Sequence, residues 1–170
     1  MYDRAIAKTG ALGLGVMALT IALLGAVGVR WPGEVGLMAG GSLVGRLSHP
    51  LVHAGFLHAA MNVYVLWQLV FFFPIRLRHL VAAYLLACCC PVTVAVWSIF
   101  PTATEEMRVV GLSGVDYALM GWIMPTVARR LRFNVTVVVW QLAGMAVGSV
   151  AVGLHLWCYV LGAILSCFRR

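Results

Sequence analysis

Charge is what this sequence has least of: five acidic and twelve basic residues in 170, in a chain that is 63% hydrophobic. A soluble domain is roughly half apolar and about a quarter charged, so a water-facing surface around the whole chain is excluded. With a mean hydropathy of +0.99, the bulk of the chain belongs in lipid. Segments of strictly alternating polarity are also missing, which excludes a membrane barrel and leaves α-helices as the spanning element. No low-complexity segment or linker separates a second domain, so residues 1–170 read as one membrane domain. Five cysteines build neither a disulfide framework nor a metal site: Cys88, Cys89 and Cys90 point in three directions around a helix, and none has a ligand spacing with histidine. Gly144 and Gly148 have the small-xxx-small spacing of close helix contacts in lipid.

What is present is a series of apolar runs. Six candidate spans cover about 10–29, 52–73, 80–100, 112–128, 134–148 and 152–168. The fourth and fifth are short for a bilayer that needs roughly 20 residues per helix, which suits helices held inside a bundle. The first run is longer than the apolar core of a signal peptide and reads as a retained helix. The net charge of +7 fits the positive-inside rule better than nucleic-acid binding. With both ends in the cytoplasm, Arg4, Lys8, Arg76, Arg78, Arg129, Arg130, Arg132, Arg169 and Arg170 lie inside, against Arg30, Arg46 and Arg108 outside. Glu34, Glu105 and Glu106 also fall outside. A multi-pass protein of the bacterial cytoplasmic membrane is the expectation.

That topology puts an unusual set of polar residues at one depth. Ser113 in Gly-Leu-Ser-Gly (111–114) opens the fourth span, His155 opens the sixth, and His53, His58 and Asn62 lie in the second. All three spans enter from the outside. Polar and titratable groups in hydrocarbon are expensive and mark function by default. Serine and histidine are the minimum equipment for nucleophilic acyl transfer, because an imidazole titrates near neutral pH and can serve as base and then acid. His58 and Asn62, spaced i, i+4, share a helix face suited to a developing oxyanion. Tyr117, one turn below Ser113, is placed to pack on the imidazole. His49, His53 and His79 each read more simply as satisfying a neighbouring carbonyl. Val115 stands where the second glycine of a Gly-x-Ser-x-Gly elbow would be, and no strand precedes it, which excludes an α/β-hydrolase.

At these residues the chain resembles the rhomboid intramembrane serine proteases. His53-xxxx-His58-xxx-Asn62, Gly111-Leu-Ser113-Gly114-Val-Asp-Tyr117-Ala-Leu-Met-Gly121 and His155 followed by Gly162 match that family's motifs in order and spacing. The resemblance implies a six-helix bundle with cytoplasmic termini and an endopeptidase with a Ser113–His155 dyad and no third acid. His58, Asn62 and the Ser113 N–H would hold the oxyanion, with Tyr117, Gly111 and His53 in support and no metal or cofactor. The implied substrate is a transmembrane segment of another protein, admitted past the second and fifth spans and cut near its outer end. Helix-breaking residues and a small side chain before the cut are typical of such substrates.

The sequence departs from the family in three places. The first outer loop lacks the Trp-Arg pair and carries Val44-Gly45-Arg46, with Arg46 a displaced equivalent. Cys158 replaces the glycine one turn after the histidine, which predicts a wider or differently packed contact between the fourth and sixth spans. Asp116 stands beside Tyr117 where an apolar residue is usual; the expectation is an acid facing water or a basic neighbour, or one kept neutral by burial, ahead of one that tunes His155. Two other classes compete. A catalytically silent relative that binds membrane-protein clients would lack the serine or histidine. A transporter would need polar residues through the inner half, which is nearly bare of them.

Overall fold

A computed structural model describes residues 2–30, 35–96, 108–146 and 151–168. Glu34, Glu105, Glu106, Gly148, Arg169, Arg170 and the far ends of the third and fifth apolar runs lie outside the described residues. Among the described residues eight α-helices follow one another: α1 (Tyr2–Ala26), α2 (Leu43–Ser48), α3 (Phe56–Phe72), α4 (Leu77–Cys88), α5 (Val92–Ala95), α6 (Ser113–Ile123), α7 (Arg130–Ala146) and α8 (Val152–Ser166). Among the described residues the only β-type pairing is a single antiparallel bridge, Leu37 to Val109. It ties the first interhelical segment to the approach of α6.

The helices sort their residues by size. In α1, Ala7, Ala11, Gly15, Ala18 and Ala22 are buried on one stripe, while Leu12, Val16, Met17 and Leu23 are exposed on the opposite face. Small residues let backbones approach where no water drives association. A Cβ on Gly15 would lie 2.7 Å from Trp67 Nε1 of α3, and that indole donates to the Ala11 carbonyl at 3.0 Å. At 25 residues, α1 is about 37 Å long. Among the described residues it is the one helix long and apolar enough to cross a membrane unaided; α3, α4 and α8 are shorter apolar helices.

Proline corrects two of the expected runs. The run at 80–100 is broken: α4 stops at Cys88, and Pro91, which cannot donate to a helix, starts the separate α5. Cys88, Cys89 and Cys90 therefore lie at a helix end and turn rather than mid-span, with Cys88 and Cys90 buried and Cys89 exposed. The run at 112–128 is helical only to Ile123 and continues as a 3-10 turn, Met124–Thr126, around Pro125. The second run becomes helical at Phe56, and residues 49–55 approach it as irregular chain that crosses the site.

At the centre is α6, with Gly114, Val115, Asp116, Ala118, Leu119, Gly121 and Ile123 all buried. It is enclosed by α3, α4 and α8, while α1 packs outside α3 and α4. Among the described residues the contact of α6 with α8 is the most extensive, and it is backbone to backbone. A Cβ on Gly121 would sit 2.1 Å from the Tyr159 carbonyl oxygen, and one on Gly162 equally close to that of Ala118. Of the two outcomes expected from Cys158, a wider contact or a differently packed one, the close approach of the backbones fits the second. Cys158 is fully buried, and the close approach is made by Gly162, one turn further along α8, and by Gly121 of α6. Peripheral α7 touches the Met124–Thr126 turn and presents Val135, Val138, Val139, Trp140 and Leu142 outward.

Candidate active site

Ser113 is the first residue of α6, so its N–H is among those that have no partner within the helix. Two histidines hold the chain before it. The Gly111 N–H donates to the His49 carbonyl at 2.8 Å, and the Leu112 N–H donates to His53 Nε2 at 3.2 Å. Because that nitrogen accepts, the His53 proton is on Nδ1, where it reaches the Leu51 carbonyl at 3.2 Å. The His53 imidazole is thus a bridge between the irregular 49–55 chain and the serine loop. Gly111 adopts φ +120°, a conformation that L side chains rarely take.

The His49 ring is fully buried and lies outside the apolar runs. Its Nε2–H donates to the Ala87 carbonyl at 3.2 Å, and its Nδ1 has no partner among the described residues. Burial lowers its pKa to about 4, against a small upward pull from the Ala87 bond, with nearby Arg46 lowering it further. Arg46 itself donates to the Cys90 carbonyl at 3.2 Å, which fastens α2 to the end of α4. His79 Nδ1 accepts the Arg76 N–H at 3.1 Å, and its ring lies on Trp122 at 4.2 Å.

His155 is buried on α8. Its Nε2 is 2.7 Å from Ser113 Oγ, and Tyr117 lies flat against the ring, centroids 4.2 Å apart and planes 7° apart. Its Nδ1 is 2.8 Å from Gln141 Oε1 of α7. With Ser113 donating to Nε2, the imidazole proton must be on Nδ1, where the amide oxygen accepts it. Sequence reading missed Gln141. The available signal was a polar residue seven positions after Asn134 in an otherwise apolar run, with Asn134 itself accepting a hydrogen bond from the Tyr159 hydroxyl.

His58 and Asn62 converge on the bare face of Gly111. A Cβ there would be 3.1 Å from Asn62 Nδ2 and 3.4 Å from His58 Nε2. The Asn62 Nδ2 is buried and has no partner among the described residues. Burying an amide without a hydrogen bond is unfavourable, so a donor left open beside the serine loop is an acceptor's place. His58 also meets His53 edge to face at 5.2 Å.

Of the expectations for Asp116, the structure fits the buried acid. It is 2% exposed, its Oδ1 has no partner among the described residues, and the hydrogen bonds of His155 go to Ser113 and Gln141. Burial therefore takes it away from water, and it is not a hydrogen-bond partner of His155. Its position on α6 follows from the helix phase: Val115 and Leu119, the residues before and three after it, are buried with it. Among the described residues no group of three or more His, Cys, Asp or Glu side chains is placed to hold a metal ion.

The rhomboid domain family model matches residues 40–166, from just before α2 to the end of α8. No curated protein matches the chain. A match over that span takes in every residue of the constellation around Ser113 and His155, and the chain belongs to the rhomboid family.

Proposed function

We propose that this chain is an intramembrane serine endopeptidase that cleaves transmembrane segments of other proteins near their outer ends. The observation that carries the reading is the 2.7 Å contact of Ser113 Oγ with His155 Nε2. It is supported by the unpartnered Asn62 Nδ2 beside Gly111. In this reading the chain crosses the membrane six times with both termini in the cytoplasm. The charge asymmetry of the flanking Arg and Lys residues supports that orientation, which turns Ser113 and His155 toward the outer side of a bacterial inner membrane.

Ser113 Oγ attacks the scissile carbonyl carbon as His155 Nε2 takes its proton. The tetrahedral oxyanion is held by the Ser113 N–H, Asn62 Nδ2 and His58 Nε2–H. Donors fixed in advance act where charge develops, in surroundings of low dielectric. His155 then gives the proton to the leaving amine, the C–N bond breaks, and the acyl group stays on Ser113. Water, deprotonated by the same imidazole, attacks the ester and regenerates the serine. The resemblance to the family implies a small side chain before the cut and a substrate helix that unwinds there.

Labelling of the detergent-solubilised protein with a fluorophosphonate tests this. Wild type is expected to label and Ser113→Ala and His155→Ala to lose labelling almost entirely. Absence of labelling in folded wild type, or labelling that survives Ser113→Ala, would move the chain to the silent, client-binding relatives.

A further inference from the structure

The Ser113–His155 pair leaves one polar group on its boundary unexplained. Gln141 is carried by α7, whose neighbouring Val138, Val139, Trp140 and Leu142 are exposed apolar residues. Yet its amide turns inward: Oε1 lies 2.8 Å from His155 Nδ1, and Nε2 is buried with no partner among the described residues. An amide nitrogen buried without a partner is an expensive arrangement. A second polar link, from the Tyr159 hydroxyl to Asn134, already joins α7 to α8 two turns away. The Gln141 bond is therefore not needed merely to attach the helix.

We propose that Gln141 is a positioning residue that sets the tautomer of His155, making the site a Ser113–His155–Gln141 relay; this rests on the protease reading above. The logic is one of donors and acceptors. An imidazole that accepts the Ser113 proton at Nε2 must carry its own proton on Nδ1. The oxygen of Gln141 accepts that proton and holds the ring with its lone pair toward the serine. If the amide turned over, its NH2 group would face Nδ1, the ring proton would shift to Nε2, and His155 would donate to Ser113 instead of activating it. Amide orientation and base competence are thus two descriptions of one hydrogen-bonding state. Tyr117 stacks on the ring face and restrains its plane, but a stacked ring has no means of choosing between tautomers. As the imidazolium forms, the same oxygen stays bound to Nδ1–H, so the partner needed before the proton transfer serves after it.

Two readouts test the assignment. In Gln141→Met, which keeps the length and removes the acceptor, the maximal rate of fluorophosphonate labelling at saturation is expected to fall. The fall should be on the order of 10- to 100-fold, the size found for partners that fix a ligating histidine's tautomer. The half-saturating concentration should stay within about twofold, because the probe's own contacts are untouched. Gln141→Glu presents an acceptor oxygen in either protonation state and should recover most of the rate. Gln141→Asn withdraws the amide by one methylene and should behave as Gln141→Met, which covers a methionine variant that fails to fold. Independently of activity, 15N NMR of histidine-labelled protein, assigned with His155→Ala, should show the Nδ1–H tautomer in wild type. The Met or Asn variant should show a mixture. A folded variant with the wild-type tautomer and labelling rate overturns the proposal. If wild type itself does not label, the protease reading fails, and the NMR comparison still decides what Gln141 does to His155.

Discussion

Gly162 of α8 meets Ala118 of α6 so closely that a Cβ on the glycine would stand 2.1 Å from the Ala118 carbonyl oxygen. Gly162 is two turns after His155 on the same face of its helix, and Ala118 follows Ser113 by five residues. Through that contact the backbones of the helices bearing the serine and the histidine lie at a fixed separation, and the 2.7 Å reach between the two side chains depends on it.

Gly162→Ala should accordingly separate Ser113 from His155. The obstructing atom is backbone and cannot rotate away, so relief requires the helices to move. Overpacking of this kind typically costs about 1–3 kcal/mol. The expected result is a lowered Tm together with a loss of labelling larger than the folded fraction accounts for. Wild-type labelling per folded molecule would show that the glycine contact does not govern that separation.

Tyr117 acts through its ring face, stacked on His155 at 4.2 Å. Tyr117→Phe preserves the face and should label near the wild-type rate. Tyr117→Ala loses a contact worth about 0.5–1.5 kcal/mol, and a reduction on the order of tenfold is expected from a less restrained imidazole. Equal losses in both variants would point to the hydroxyl instead.

For Asn62 the prediction is a separation of stability from activity. Its Nδ2 has no partner among the described residues, so Asn62→Ala removes an unsatisfied buried donor, and Tm should change little. Rate should drop by about 10²–10³-fold, as for loss of one oxyanion donor. The labelling rates and melting curves of the same preparation decide it; a large fall in Tm with a small fall in rate would assign Asn62 to structure.

His49 supplies a pH signature. Its folded-state pKa, lowered by burial to about 4 from an unfolded value of 6.5, makes the native protein bind fewer protons than the unfolded chain between those limits. Stability therefore falls as pH drops through that window, and above it this histidine contributes no pH dependence. A shift of this size corresponds to a loss on the order of 3 kcal/mol by the bottom of the window. His49→Gln, able to donate to the Ala87 carbonyl without titrating, should flatten the plot of Tm against pH between 6.5 and 4. An unchanged slope would assign the acid sensitivity to other groups.

Much of this protein is written in short-range pattern. Its helical class follows from apolar runs with few charges, since lipid offers backbone groups no other partner. The i, i+4 spacing of His58 and Asn62 and of Ser113 and Tyr117 places each pair on one helix face whatever the helices pack against. The breaks at Pro91 and Pro125 were equally local, and reading by hydropathy alone passed over them, because proline is tolerated in an apolar average while removing a hydrogen bond.

Tertiary structure decided the contacts between residues far apart in the chain. That Gln141 reaches His155, that His53 turns its Nε2 to Leu112, and that Asp116 faces inward all depend on crossing geometry and helix phase. Those are set where α6 and α8 touch backbone to backbone at Gly121 and Gly162. No periodicity within a single helix records the rotation of its neighbour. The sequence by itself therefore determined which residues could share a helix face, and packing determined which nitrogen of His49, His53 and His155 meets which partner.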